Sequence, residues 1–111
     1  MQLSELPSTL DLSVIQDQYE DRELRGAYTS DLLSDVMANA DDADVLVTIQ
    51  SHKNTVAVAT LVGASVILVC NDRPVPDDMV EAARSEAVGI FRSSRNQFEI
   101  SGELYRLITS S

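Results

Sequence analysis

The chain holds one histidine and one cysteine, His52 and Cys70, and its only lysine, Lys53, directly follows the histidine. An imidazole titrates near neutral pH, an ammonium holds anions, and a thiolate attacks electrophiles. Cys70 closes the apolar run 65–70, and His52 follows the apolar run that ends at Ile49. On neighbouring strand ends, His52 or Arg73 would stabilise a Cys70 thiolate, the arrangement of a thiol-dependent enzyme. The competing reading makes Cys70 a small buried hydrophobe, the usual role of a free cysteine. Asp31 and Asp35 lie one helical turn apart, and Asp72 is the nearest third carboxylate. Three acids without a ligand motif do not make a metal site, and none is expected. The sequence contains no GxxxxGK[ST], GxSxG, HExxH or CxxC motif, so no catalytic residue and no cofactor is expected.

Polar residues gather in four stretches: Thr29-Ser30-Asp31, Gln50-Ser51-His52-Lys53-Asn54, Cys70-Asn71-Asp72-Arg73 and Ser93-Ser94-Arg95-Asn96. In an open parallel sheet, ligands bind beyond the carboxyl ends of the strands, where such stretches would meet. His52, Lys53, Arg73 and Arg95 would then form a cationic rim over helix N-termini, suited to a small anion. The candidate ligand residues are Thr29, Ser30, Asp31, Gln50, His52, Asn54, Asn71 and Arg73. The same residue types also serve turns and helix starts, whatever the function.

The elements that would position these stretches follow from periodicity. Residues 2–9 suggest a short helix, and Leu10, Leu12 and Val14 alternate with polar residues as in a half-buried strand. Residues 16–23 read as a charged connection and 24–28 as a short strand. Thr29-Ser30-Asp31 offers an N-cap for a helix carrying Leu32, Leu33, Val36, Met37 and Ala40. Residues 43–49 and 65–70 are continuous apolar runs, expected for strands covered on both faces. By composition 55–62 reads equally as a strand, but a right-handed crossover between parallel strands predicts a helix over 53–62 ending at Gly63. That helix is apolar nearly all round, so burial on every side is expected. A second copy of the chain would cover the side that the monomer leaves open, through Val56, Ala59 and Thr60. Asp77-Asp78 start a further helix, 88–91 forms a last strand, and Ser94 with Gln97 resembles a capping box. The final helix is expected to bury Phe98, Leu104, Tyr105 and Ile108.

Length and composition agree with one domain over 1–111. Hydrophobic residues make up 44% of 111 residues, enough for one core, while aromatics are only 5%. The formal net charge is −10. Residues 1–50 hold eleven acids against Arg22 and Arg25, a net of −9; residues 51–111 hold seven acids against six bases, a net of −1. Such a surface repels phosphate backbones and anionic lipid, so nucleic-acid and membrane partners are not expected. The uncharged stretch 54–71 is too short and too polar to span a bilayer. The N-terminus has no secretory signal pattern, and a cytoplasmic location is the expectation.

The run from Gly26 to Ala40, Gly-Ala-Tyr-Thr-Ser-Asp-Leu-Leu-Ser-Asp-Val-Met-Ala-Asn-Ala, and the segment Asn54-Thr55-Val56-Ala57-Val58-Ala59 resemble the DRTGG domain family in its small stand-alone form. The likeness runs from about Leu10 to Ile108. It implies a single three-layer α/β domain similar to the N-terminal domain of HPr kinase, with a small, mainly parallel sheet flanked by helices. It also implies a non-catalytic, regulatory role with homodimerisation, since such domains accompany CBS-type modules in pyrophosphatases. Where longer relatives carry Gly-Asp-Arg and Thr-Gly-Gly, this chain has Gln50-Ser51-His52 and Cys70-Asn71-Asp72-Arg73, which makes close backbone approach to a phosphate harder. Stand-alone forms resemble proteins that accompany iron–sulfur hydrogenases. The rival to a small anionic or nucleotide-like ligand is therefore docking on a redox complex through the acidic surface of residues 1–50. A third reading is the Cys70–His52 enzyme.

Overall fold

In the computed structural model, which describes residues 1–110, the apolar runs form one five-stranded mixed sheet flanked by helices. The strands are β1 (Ser13–Gln16), β2 (Ala27–Thr29), β3 (Val45–Thr48), β4 (Val66–Val69) and β5 (Gly89–Arg92). The helices are α1 (Leu6–Leu10), entered through a 3-10 turn at Leu3–Glu5, α2 (Leu33–Asn39), α3 (Lys53–Val62), α4 (Asp77–Glu86) and α5 (Gln97–Thr109). The order across the sheet is β1-β5-β4-β3-β2. β2 to β5 are parallel, and β1 pairs antiparallel with β5. β3 and β4 read as unbroken apolar runs because both of their faces are covered. Leu46, Ile67 and Ile90 face α2, α3 and α4, while Val45, Val47, Leu68 and Phe91 face α1 and α5. This is a three-layer α/β domain.

The helix across 53–62 forms as the crossover rule requires. Gly63 ends it in the left-handed region at φ 81°, its N–H donating to Ala59 and Thr60 carbonyls. Its burial differs from the expectation. Thr55, Val56, Val58 and Ala59 face the core, whereas Lys53, Asn54, Ala57, Thr60 and Leu61 face outward, so the helix is two-sided. Val56 and Ala59 are 1% and 0% exposed within the single chain, so neither presents a surface to a second copy. Of the three residues expected at such a contact, only Thr60 faces outward.

Three further expectations are corrected by packing. In β1 it is Gln16 that is buried, its amide donating to the Val88 and Gln18 carbonyls, while Val14 lies exposed on this edge strand. α2 begins at Leu33 rather than behind an Asp31 cap, and it buries Val36 and then Ala40 while Leu32 and Met37 stay exposed. In α5 the cap is Asn96, which accepts from the Glu99 N–H, rather than Ser94. The buried face of α5 is Ile100 and Leu104, with Leu107 and Ile108 partly covered. Phe98 and Tyr105 point outward.

Candidate functional site

The parallel topology carries all four polar stretches to one edge, beyond the carboxyl ends of β2 to β5. Much of what they hold binds the fold itself. Asp31 Oδ1 accepts from Thr48 Oγ1 at 2.9 Å, the Ile49 N–H at 2.8 Å and Gln97 Nε2 at 3.0 Å, joining the ends of β2 and β3 to the start of α5. Thr29 shares a hydrogen bond with Ser101 of α5, and Ser30 closes the turn to Leu32. Asp35 lies one turn on but serves another cluster, accepting from Tyr28 Oη at 2.8 Å and Asn39 Nδ2 at 2.9 Å. These bonds hold the Asp35 carboxyl below the usual range and push the Tyr28 phenol up. The two carboxylates therefore do not converge, and among the described residues no group of three His, Cys, Asp or Glu is placed to hold a metal ion.

Between β4 and β5 the crevice is closed by main chain. Asn71 and Asp72 both take left-handed backbone conformations, φ 61° and 49°, in a turn closed by the Arg73 N–H on the Cys70 carbonyl. Their own N–H groups donate to the carbonyls of Arg95 and Ser93. Arg95 turns toward α1 and α5, donating to the Leu10 carbonyl and lying 3.8 Å from Glu103, so it does not join His52.

The open part of the edge lies at the start of α3. His52 caps this helix through Nδ1, which accepts from the Asn54 N–H. Nδ1 is thus the acceptor, and a neutral ring carries its proton on Nε2. Ser51 Oγ donates to the Pro74 carbonyl, which ties the β3–α3 turn to the β4–α4 turn. His52, Lys53, Asn54, Asn71 and Arg73 are all exposed, as is Gln50. From Lys53 and Asn54 a groove of about 410 Å³ runs between α3 and α4, along Ala57, Thr60 and Ala82 to Glu86.

Cys70 is fully buried, and burial together with the Asp31 charge pushes its thiol up to about 11. A thiol in that state is not a nucleophile at neutral pH. His52 faces solvent from the helix cap and is no activating partner for it.

At the opposite edge, a recess of about 450 Å³ is lined by Arg22, Arg25, Asp42, Asp44 and Gly63. Its central groups are already engaged: Asp44 accepts from Arg22, and Arg22 also donates to the Gly63 carbonyl. Sequence reasoning missed this cluster, as it missed Thr48 and Gln97. A threonine inside an apolar strand and an aspartate just before one were the available signals.

No protein-family profile matches the chain, and no curated protein does either. Among solved structures, the fold matches the regulatory region of Clostridium perfringens pyrophosphatase, which comprises CBS and DRTGG domains. The TM-score is 0.76 at 12% identity, over 92% of this chain and 45% of that one. The fold is DRTGG-like. The pyrophosphatase region was solved in complex with an activator, diadenosine tetraphosphate. The match covers less than half of that chain, so the likeness concerns the fold alone. Among the described residues no helix is long and apolar enough to cross a membrane.

Proposed function

We propose that this DRTGG-like domain is a regulatory binding module that takes a phosphate-bearing, nucleotide-like ligand at the start of α3 and works as a homodimer. The observation that carries the ligand reading is the charge of the helix starts at the β-strand edge. Among the helices that begin there, α2 has Asp35 in its first turn, α4 has Asp77 and Asp78, and α5 has Glu99. α3 has no acid and begins with Lys53. The positive end of the helix dipole favours an anion there, although the Asn54 and Thr55 N–H groups already bond to His52, and Lys53, Arg73 and the His52 Nε2–H would supply the donors. The groove running from Lys53 between α3 and α4 offers a mainly apolar trough for a base or sugar. The neighbour's nucleotide activator supports the same ligand class.

Thermal unfolding with inorganic phosphate, ATP and diadenosine tetraphosphate tests this reading. A ligand at one hundred times its Kd adds about 2.7 kcal/mol, a rise of roughly 10 °C for a domain this size. Lys53→Gln and Arg73→Gln, both at exposed positions, are expected to keep the basal midpoint and lose the rise. No rise with any of the three compounds overturns the reading. A rise that survives in both variants moves the ligand elsewhere.

A further inference from the structure

The outward face of α5 is unusual for a small domain. Phe98 is 87% exposed and Tyr105 72%, and both lie on the side of the helix away from Ile100 and Leu104. Gly102 sits between them, and a Cβ built there would meet nothing within 4 Å. At about 1.5 Å per residue, Phe98 lies some 6 Å to one side of Gly102 and Tyr105 some 4.5 Å to the other. Glu99 and Arg106 flank the same face with opposite charges, again one on each side of Gly102.

We propose that this face of α5 is the surface on which a second copy of the chain docks, the two helices crossing antiparallel at Gly102. The inference rests on the homodimer reading above and says where that dimer forms. A two-fold contact must be self-complementary, because each residue meets the partner of its counterpart. Antiparallel pairing about Gly102 sets Phe98 of one copy against Tyr105 of the other, and the reverse. It likewise sets Glu99 of each copy beside Arg106 of the other. A parallel pairing would stack like on like and place the two Glu99 carboxylates together. Gly102, lacking a side chain, lets the backbones approach at the crossing. Arg106 is already bonded to Glu103 within its own helix at 2.9 Å, but that pair is exposed and exchanges at little cost. Four aromatic side chains supply roughly 600–1,000 Å², below the roughly 1,200–2,000 Å² of a stable interface, so a weak, concentration-dependent dimer is expected.

Sedimentation of the full chain from about 10 to 500 μM reads this directly. The wild type is expected to dimerise, Phe98→Glu to remain monomeric, and Glu99→Arg and Arg106→Glu each to weaken the dimer about tenfold. The double charge swap is expected to restore it to within about threefold. All three positions are exposed, and circular dichroism of each variant confirms the fold. A wild-type dimer indifferent to Phe98→Glu overturns the α5 face while leaving homodimerisation standing. Loss with Phe98→Glu but no rescue by the double swap overturns the antiparallel register. A monomer at every concentration overturns both this inference and the homodimer reading, and leaves the face to another partner.

Discussion

Replacing Asp44 by alanine is expected to destabilise the domain more than any other single substitution at a polar side chain. The residue is 3% exposed, and its carboxylate accepts from Arg22 Nε at 2.7 Å and from the N–H groups of Arg25 and Gly26 at 2.8 and 3.1 Å. Its backbone carbonyl also accepts from Ser65 and Val66, so the residue joins the approach to β2 with the starts of β3 and β4. Hydrogen bonds to a charged group contribute about 1.5–3 kcal/mol each. Three of them would set an upper range near 4.5–9 kcal/mol on that scale. Arg25 is exposed and Gly26 and Arg22 only half-buried, so water recovers much of the loss. About 3 kcal/mol is therefore expected, within the range for breaking a buried pair. Asp44→Asn keeps one acceptor oxygen and is expected to cost about half as much on the same scale. In urea, with m near 1.5 kcal/mol/M, Asp44→Ala would lower the midpoint by about 2 M at unchanged m. A shift under about 0.5 M would show that solvent replaces all three bonds and that they add little to stability. A cycle with Arg22→Ala then isolates the ion-pair part.

Other expected outcomes follow from single residues. Cys70, with its thiol raised from 9.0 to about 11, is expected to react with iodoacetamide at neutral pH at least ~100-fold more slowly than a free thiol; a rate at or above the free-thiol rate refutes its burial. Because that folded-state pKa is raised, its contribution to stability is complete below about pH 9 and is lost as pH climbs toward 11. Urea midpoints of the wild type should therefore fall across that window more steeply than those of Cys70→Ala. Ala87 ends α4 at φ 56° just as Gly63 ends α3 at φ 81°, so Ala87→Gly should stabilise and Gly63→Ala destabilise, each by about 1 kcal/mol in chemical unfolding. Equal signs would refute the left-handed assignment. Tyr28→Phe removes a donor from Asp35, and carboxyl NMR titration should show the Asp35 pKa rising toward its ordinary value.

Much of this fold was legible because its strongest signals are local. Residues 55–62 could by composition form a strand, and it was Gly63 with the crossover that two parallel strands require that favoured the helix α3. Pro76 with Asp77-Asp78 did the same for α4. The misreadings arose where tertiary packing decides. Phe98 and Tyr105 fit a buried stripe by composition, but the register of α5 turns Ile100 and Leu104 to the sheet instead. Asp31 resembled a helix cap because aspartate is good at capping; Thr48 and Gln97, which bind it, are 17 and 66 residues away, beyond any local pattern. The polar stretches were correctly assigned to strand ends, yet which of their side chains remain free follows from bonds between loops. The Asn71–Arg95 and Asp72–Ser93 pairs close one crevice and leave the start of α3 open.

The unidirectional strand order has a consequence for how the protein is made. From β2 to β5, each new strand emerging from the ribosome finds its neighbour already synthesised, and α2, α3 and α4 settle on one face as they appear. α5 alone reaches back across the sheet, tying Ser101 to Thr29 and Gln97 to Asp31. A nascent chain that stops short of these 13 residues leaves bare the part of the sheet that Ile100 and Leu104 cover. Truncation there should yield a sticky, aggregation-prone species rather than a smaller stable domain.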